Sequence, residues 1–307
     1  MRIGLDVGGT KIEAIALDDG GRELVRRRVP TPRQDYVKTL EAMVELVTGI
    51  ERELGGRGTV GIGIPGAISP ATGLVKNANS TWLIGRRLSG DLERLLERPL
   101  RFANDANCFA LSEATDGAGR GLRTVFGVIV GTGTGGGVVV DGQVLTGKNA
   151  VAGEWGHSPL PWPSAEEWPG PACYCGKTGC IETFLSGPGL ARDYVSRTGR
   201  ELTSNEIASR AADDPEAAAA LERYADRMAR GLATVINLLD PDAIVLGGGM
   251  SQLEHLYESV PRLWGRYVFS DRVDTHLRPP VHGDSSGVRG AAWLWPAAQR
   301  ERTSSSS

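Results

Sequence analysis

The sequence has few of the residue types that would point at once to one class of protein. Its 307 residues include only 4 cysteines and 4 histidines, and aromatic residues make up 6%. Neither sign of charge dominates, because 34 lysines and arginines face 37 aspartates and glutamates, with a formal net charge of −3. A chain so nearly balanced has no general attraction to nucleic acid or to an anionic membrane, so we expect its partners to be small molecules.

Long apolar runs are also missing. No stretch approaches the roughly 18 residues of a membrane-spanning helix, and the opening residues MRIGLDVGG lack the apolar segment of a secretion signal. A cytoplasmic location is therefore expected. The remaining composition, 40% hydrophobic and 23% charged, is that of a globular protein. Its length allows about two domains.

The sequence does contain a repeated order of strands and glycine turns. RIGLDV and IEAIAL are joined by GGTK and followed by a third strand at 23–29; TVFGVIV, GTGTGG, GVVV and DGQVL repeat this order. Helical spacing of apolar residues extends over 36–54 and again over 206–239, with a break near 213–215. Alternating strands and helices predict an α/β fold, and the repeat predicts two similar lobes.

The repeat also suggests where the lobes begin and end. We expect a small N-terminal lobe of residues 1–117, completed by a C-terminal helix at about 288–300. A large lobe would span 118–287 and contain an insert at about 150–187, which holds three of the four cysteines. The polar tail, residues 301–307, is expected to be disordered.

Three glycine-rich turns follow apolar strands and are candidates for binding phosphate. Glycine lets backbone N–H groups approach an anion, and threonine adds a hydroxyl donor. Each turn alone could be a tight hairpin turn, but three of them favour a nucleotide site. The Walker and GxGxxG spacings are both missing, which argues against P-loop and Rossmann sites. The candidate nucleotide ligands are Gly8, Gly9, Thr10, Lys11, Thr132, Gly133, Thr134, Gly135, Gly248 and Gly249.

The cysteines are clustered. Cys173, Cys175 and Cys180 form a C-x-C-x4-C pattern, and His157 lies sixteen residues before the first of them. Three thiolates and one imidazole would complete a closed tetrahedral shell, which is typical of a structural Zn2+ site. A reducing compartment disfavours a disulfide, whereas a cluster of free thiols is an open alternative. Cys108 stands apart and is expected to be a small core residue.

Several longer motifs resemble one known family. LDVGGTK and GTGTGGGVVVDG are similar to the phosphate loops of actin-like sugar kinases. AGEWGH, followed by CYCGKTGCIE, resembles the signature of the ROK family (repressors, open reading frames and kinases), and the resemblance covers residues 1–296. It implies a two-lobed actin-like (ribonuclease H-like) fold with duplicated βββαβα-type lobes and a cleft between them. It also implies ATP and Mg2+ as cofactors, structural Zn2+ and a homodimer.

Within that family the pattern looks closest to bacterial fructokinases, through KNANSTWL, ANDANC, GEWGHSPLPW and HGDSSGVRGAAWLW. This resemblance implies ATP-dependent phosphorylation of fructose to fructose 6-phosphate, with mannose and glucose as weaker substrates. Kinases for N-acetylglucosamine, N-acetylmannosamine or glucose are the alternatives, since specificity can depend on a few contacts. A sugar-sensing repressor is an alternative of another class. Because the first strand is predicted from Arg2, we expect no DNA-binding segment.

Individual residues also acquire expected roles. Asp105, at a strand-to-helix junction, would accept the proton of the sugar hydroxyl, and a plain helix N-cap is the alternative. Asp6, beside the first glycine turn, would hold Mg2+ through water, and Lys11 would neutralise phosphate. By resemblance, the residues expected to bind the sugar are Asn104, Asp105, Glu154, His157 and Glu182, with Gly66 and Asn79 at the rim.

The stretch PWPSAEEWPGP, residues 161–171, lies between His157 and Cys173. It departs from the shorter insert of many family members. It could border the sugar or a subunit contact. A surface loop held down by its tryptophans is the alternative.

Overall fold

The computed structural model describes residues 1–78 and 80–296, which divide into two compact units. Residues 1–108 and the C-terminal segment from Gly287 make up the first unit, and residues 109–286 make up the second. The lobe boundaries drawn from the sequence stay a prediction, because units defined by packing need not coincide with the ends of a repeat. The expected tail at 301–307 and the rim residue Asn79 lie outside the described residues.

Strands and helices alternate along the chain. The strands are β1 (Arg2–Val7), β2 (Lys11–Leu17), β3 (Glu23–Pro30), β4 (Thr59–Ile64), β5 (Ala67–Ile68), β6 (Val75–Lys76), β7 (Arg101–Asn104), β8 (Thr124–Val130), β9 (Thr134–Val140), β10 (Gln143–Val144), β11 (Ala243–Gly247) and β12 (His276–Arg278). The helices are α1 (Tyr36–Leu54), α2 (Leu88–Leu96), α3 (Asp105–Thr115), α4 (Ile181–Leu185), α5 (Gly187–Thr198), α6 (Ser204–Arg210), α7 (Pro215–Leu239), α8 (Leu256–Trp264) and α9 (Ser286–Trp293).

The first unit is built on a five-stranded sheet of order β3-β2-β1-β4-β7. The first three strands form an antiparallel meander, and β4 and β7 run parallel to β1. Ile3, Leu5 and Val7 of the central strand are buried, as a strand covered on both faces requires. Asp6 is therefore a polar side chain among the apolar residues at the end of this strand.

Helix α1 shows how closely local sequence determines an element here. It begins after Asp35, whose side chain accepts from the amide of Lys38, and it ends at Gly55 in the left-handed conformation. Apolar residues at helical spacing, such as Met43 and Ile50, are buried against the sheet side of the unit. The helix predicted over 36–54 is confirmed at both ends.

The second unit repeats the first sheet. Its order is β10-β9-β8-β11-β12; β8, β9 and β10 form an antiparallel meander, and β11 and β12 run parallel to β8. The predicted repeat of strands, and the α/β class with two mixed sheets, are thus confirmed. The third strand of this copy is short, since only Gln143 and Val144 pair as a strand with β9.

The long helical region before β11 divides as its sequence suggests. α6 ends at Arg210, Asp214 caps the next helix by accepting from the amide of Glu216, and Pro215 stands in the first turn of α7. Asp213–Asp214–Pro215 therefore marks a true break. No helix in the described part of the chain combines the length and the apolar character needed to cross a membrane.

Candidate active site

Asp105 is the first residue of α3, directly after β7. The amide of Ala106 donates to Asp105 Oδ1 at 2.8 Å and to Asn104 Oδ1 at 2.9 Å, so both side chains stabilise the helix start. Asn104 also donates from Nδ2 to the carbonyl oxygen of Gly66 at 3.3 Å. Three of the expected sugar-binding residues thus lie together at one strand end. The capping interpretation of Asp105 holds as local structure, while its role as a base stays a prediction.

Asp6 lies near the end of β1, close to Asp105. Burial raises the pKa of Asp6 to about 6, together with the charges of Asp105 and Glu13 and against the opposing charge of Lys11. Neighbouring carboxylates supply the oxygen ligands that a hard divalent cation prefers, and a bound cation would offset their repulsion. The residues around Asp6 therefore fit Mg2+.

Glu13 was not among the expected site residues, although it directly faces Asp6 across the β1–β2 pair. Its side chain is only 1% exposed and pairs with Arg26 at 2.7 Å, Arg28 at 2.8 Å and Lys11 at 3.6 Å. The ammonium of Lys11 thus already has a carboxylate partner, and its contact with phosphate stays a prediction. A lone glutamate in the apolar strand IEAIAL, next to the Arg-rich strand β3, was the available sequence signal.

The first glycine turn is a hairpin whose tip is exposed. The amide of Gly8 donates to the carbonyl of Lys11 at 2.9 Å, which closes the turn around Gly9 and Thr10. Arg33, which the sequence did not single out, donates from Nε to the carbonyl oxygen of Gly9 at 2.9 Å. The turn therefore presents backbone at the surface with a guanidinium beside it, which suits an anion.

The two glycine turns of the second unit adjoin each other. The first is closed by the amide of Gly131, which donates to the carbonyl of Gly133 at 2.9 Å. Gly248 has a φ of 78°, and a Cβ there would lie 2.4 Å from the carbonyl oxygen of Val130 at the end of β8. Only glycine allows this approach. The expected nucleotide ligands at 132–135 and at 248–249 are thus brought close together.

The four expected metal donors converge. One ligand atom from each of His157, Cys173, Cys175 and Cys180 lies within 4.8 Å of the others. Nδ1 of His157 is 3.6 Å from the sulfur of Cys173, and the sulfurs of Cys175 and Cys180 are 3.6 Å apart. Burial, with the neighbouring cysteines, raises the pKa of Cys180 to about 12. Soft donors this crowded fit a tetrahedral Zn2+, whose charge would stabilise the thiolates.

Tyr174, between two of the cysteines, is a further candidate that the sequence did not single out. Its hydroxyl is 3.0 Å from Nε2 of His157, and its side chain is 76% exposed. Burial of the hydroxyl raises its pKa to about 12, and the charges of Glu182 and Glu154 add to the effect. The expected sugar contacts Glu154, His157 and Glu182 are therefore near one tyrosine. Nε2, the ring nitrogen of His157 that does not face Cys173, contacts this hydroxyl.

Comparison with known proteins identifies the family. A sequence profile of the ROK family matches residues 2–298. The chain belongs to the ROK family. It is 40% identical over 299 residues to an N-acetyl-D-glucosamine kinase of Yersinia pseudotuberculosis, covering 96% of this chain and 98% of the relative.

Solved ROK structures share the fold. The ROK hexokinase of Thermus thermophilus matches with a TM-score of 0.85 and 35% identity, over 95% of this chain and 97% of that chain. A ROK family glucokinase from Streptomyces griseus, solved with glucose and AMPPNP, matches with a TM-score of 0.75 and 28% identity, over 95% of this chain and 98% of that chain. These relatives support sugar kinase activity with ATP as the phosphate donor.

The expected resemblance to fructokinases is not supported by these ROK relatives. The curated relative is by its name an N-acetyl-D-glucosamine kinase, which corresponds to one of the alternative acceptors predicted from the sequence and not to fructose. The motifs compared with fructokinases hold Asp105 and expected sugar contacts such as Asn104, Glu154 and His157. Such residues carry little information on which hydroxyl or acetamide the pocket accepts.

The aromatic loop of this ROK chain is held by the buried charge of Glu167 and by one of its tryptophans. Glu167 lies 2.7 Å from Arg227 and 2.9 Å from Arg230, both on α7. Burial would raise the pKa of Glu167, but the hydrogen bonds from Arg230 and Arg227 lower it to about 2. Trp168 is 72% exposed, whereas Trp162 stacks on Tyr267. Of the earlier alternatives, a pinned surface loop agrees with these contacts, with Glu167 as the anchor.

Cys108 is the remaining cysteine, and it is buried as expected. Its pKa is raised, first by burial and then by the charges of Asp6 and Asp105. A Cβ on Gly290 would overlap the carbonyl of Cys108, at 1.6 Å from its oxygen, so α3 and α9 pack backbone to backbone at this point. Cys108 is a core residue of the helix that begins with Asp105.

Proposed function

We propose that the protein transfers the γ-phosphoryl group of ATP to the 6-hydroxyl of N-acetylglucosamine. The choice of acceptor rests on the 40% identity, over nearly the whole chain, to an N-acetyl-D-glucosamine kinase. The observation that carries the chemistry is the carboxylate of Asp105, placed at the start of α3 with Asn104 and near Asp6. Phosphoryl transfer to an alcohol needs such a group to accept the hydroxyl proton.

Asp105 is the proposed catalytic base. The amide of Ala106 orients its Oδ1, so the carboxylate is held in one position before the sugar arrives. Asn104 is bound to the carbonyl of Gly66, and we assign both to the rim of the sugar site. Asn79 belongs to the same proposed rim by resemblance only.

Asp6 is the proposed partner of Mg2+. When bound, the ion supplies positive charge that neutralises the phosphate oxygens as the phosphoryl group leaves ATP. Burial, together with the nearby carboxylate of Asp105, raises the pKa of Asp6 to about 6. Their mutual repulsion is offset by a cation, which supports this assignment.

The second unit supplies the proposed nucleotide turns and further sugar contacts. The turns at 131–135 and 247–249 offer the exposed Thr132 and the exposed backbone of Gly248 and Gly249 to phosphates, whereas the amide of Thr134 is bound to Glu182. Glu154, His157 and Glu182 are the proposed contacts for sugar hydroxyls, with Tyr174 added by its exposed position beside them. The Cys3His donor set would hold Zn2+ as a structural ion, because its four ligands leave no open coordination position.

The substitution Asp105→Asn tests the proposed base. Asparagine keeps the acceptor for the Ala106 amide but cannot take up a proton, so turnover should fall by about 100-fold or more with sugar affinity little changed. Steady-state kinetics and calorimetric sugar binding measure the two effects. Asp19→Asn is the matched control, since that side chain is 87% exposed. Turnover of Asp105→Asn within about threefold of the wild type would refute the assignment.

Cytoplasmic location and assembly as a homodimer stay predictions from the sequence. Both are compatible with kinase activity and neither is needed for it. Chromatographic mass determination of the purified protein tests the second.

A further inference from the structure

Two segments that carry metal donors contact the glycine turn at Gly131–Gly135 from two sides. One segment is the short 3-10 helix Trp155–His157, which ends in a donor. The other begins with Cys180 and continues as α4 and α5. Both belong to the second unit, as does the turn.

The α4 side makes two hydrogen bonds to the turn. The amide of Thr134 donates to Glu182 Oε2 at 3.0 Å, and the amide of Gly187 donates to the carbonyl of Gly131 at 2.8 Å. The approach is close, since a Cβ on Gly133 would lie 2.7 Å from Glu182 Oε2. The residues that follow the last cysteine therefore hold both ends of the turn.

The histidine side packs against the same backbone. A Cβ on Gly156 would lie 2.1 Å from the carbonyl oxygen of Thr134, so the 3-10 helix touches the turn directly. Trp155 donates from Nε1 to the carbonyl of Gly135 at 3.2 Å. The hydroxyl of Thr134 is buried and has no hydrogen-bond partner among the described residues.

The two segments are joined to each other close to the metal donors. The amide of Ile181 donates to the carbonyl of Ser158 at 2.9 Å, next to the Pro159–Cys180 bridge. The sulfur of Cys173 lies 3.8 Å from Glu182 Oε1, the other oxygen of the carboxylate that binds Thr134. A metal held by His157 and the three cysteines would thus connect the two segments that contact the turn.

We propose that the metal cluster positions the nucleotide turn and that Glu182 is the positioning residue between them. With the donors joined, Glu182 and Gly156 hold residues 131–135 in the shape that receives phosphate. With the donors apart, the turn would have to be ordered by the nucleotide itself, which weakens binding. The proposal rests on the assignment of this turn to the nucleotide, and it gives the structural metal a role in nucleotide binding.

Two substitutions of Glu182 test the link while the metal stays bound. Glu182→Ala removes the acceptor of the Thr134 amide, so AMPPNP affinity measured by calorimetry without sugar should fall about tenfold. Glu182→Gln retains an acceptor oxygen and should stay within about threefold of the wild type. Glu166→Ala is the matched control, because it removes an exposed carboxylate of the same insert, which pairs with Arg197; its AMPPNP affinity should not change. Zinc content is measured for each variant.

Removal of zinc from the full-length reduced protein tests the cluster itself. Hydrogen exchange of the peptide containing 131–137 should speed up on chelation, while that of the β1–β2 hairpin stays constant. Unchanged exchange at 131–137, no zinc bound by the wild type, or equal AMPPNP affinity of Glu182→Ala and the wild type would each overturn the proposal. A zinc-loaded wild type that fails to bind AMPPNP would instead overturn the assignment of the turn, and the proposed function with it.

Discussion

The two hairpins β1–β2 and β8–β9 occupy the same place in two sheets of the same strand order. In the first, Asp6 faces Glu13 across the pair, and in the second the corresponding residues are Ile129 and Gly135. At this pair of positions one copy thus carries two carboxylates, and the other carries an apolar side chain and a glycine. The two copies therefore share the order and direction of their strands but differ in where they carry charged side chains.

The tips of the hairpins differ in the same way. Gly9 and Thr10 of the first turn are exposed, and Arg33 donates a hydrogen bond to the carbonyl oxygen of Gly9. The second turn is held by Glu182 and Gly156 from the cysteine-bearing insert. The first hairpin is therefore charged and exposed at its tip, whereas the second is uncharged and contacted on two sides, with only Thr132 exposed among residues 131–135.

Among substitutions that distinguish the two hairpins, Asp6→Asn should have the largest effect on turnover. Loss of the carboxylate removes the proposed partner of Mg2+, so turnover should fall by about 100-fold and the Mg2+ concentration for half-maximal rate should rise. Ile129→Val at the corresponding position of β8 should leave both unchanged. Steady-state kinetics over a Mg2+ titration measure both effects. A wild-type Mg2+ requirement in Asp6→Asn would contradict the proposed role of the first hairpin in Mg2+ binding.

Glycine-to-alanine exchanges probe how enclosed each turn is. Gly156→Ala places a Cβ 2.1 Å from the carbonyl oxygen of Thr134, and a loss of about 3 kcal/mol in the free energy of unfolding is expected. In Gly9→Ala the nearest atom is the hydroxyl of Ser80 at 3.9 Å, so the loss should stay below about 1 kcal/mol. Urea unfolding measures both. Equal losses would mean that the second turn is no more enclosed than the first.

Acid pH should lower the free energy of unfolding through the insert, which has no counterpart beside the first hairpin. Because the pKa of Glu167 falls from 4.5 to about 2 on folding, its contribution is complete above pH 4.5 and is lost as the pH falls toward 2. The loss should reach about 2 kcal/mol after allowance for the remaining partners of the arginines. Unfolding curves at several pH values measure it.

Glu167→Gln serves as the comparison for this acid effect. The amide does not titrate, so its stability should change less than that of the wild type between pH 4.5 and 2. Glu166→Gln, an exchange at an exposed neighbour, should behave like the wild type. Parallel wild-type and Glu167→Gln profiles would show that the ion pairs with Arg227 and Arg230 contribute little.

The strands and helices could be predicted from the sequence because they depend on local and periodic patterns of residues. Helix α1, the strand order of both hairpins and the break at Pro215 all follow from apolar spacing, caps and turn residues. The metal donors were predicted for a similar reason, since cysteine and histidine are rare here and their spacing is informative.

The parts that escaped prediction depend on partners far apart in the sequence. Glu167 contacts Arg227 and Arg230 about sixty residues away, and Glu182 contacts Thr134 from forty-eight residues away. Surface glutamates are common, and nothing in their local sequence distinguishes these from solvated ones. The acceptor sugar escaped for another reason, because it depends on pocket shape and not on the motifs that perform phosphoryl transfer.

A coupled assay with ATP tests the central claim most directly. The kcat/KM values of the purified protein are compared for N-acetylglucosamine, N-acetylmannosamine, glucose, mannose and fructose. The account predicts the highest value for N-acetylglucosamine, by about tenfold or more over fructose. A higher value for fructose, or no phosphorylation of any of the five sugars, would contradict it.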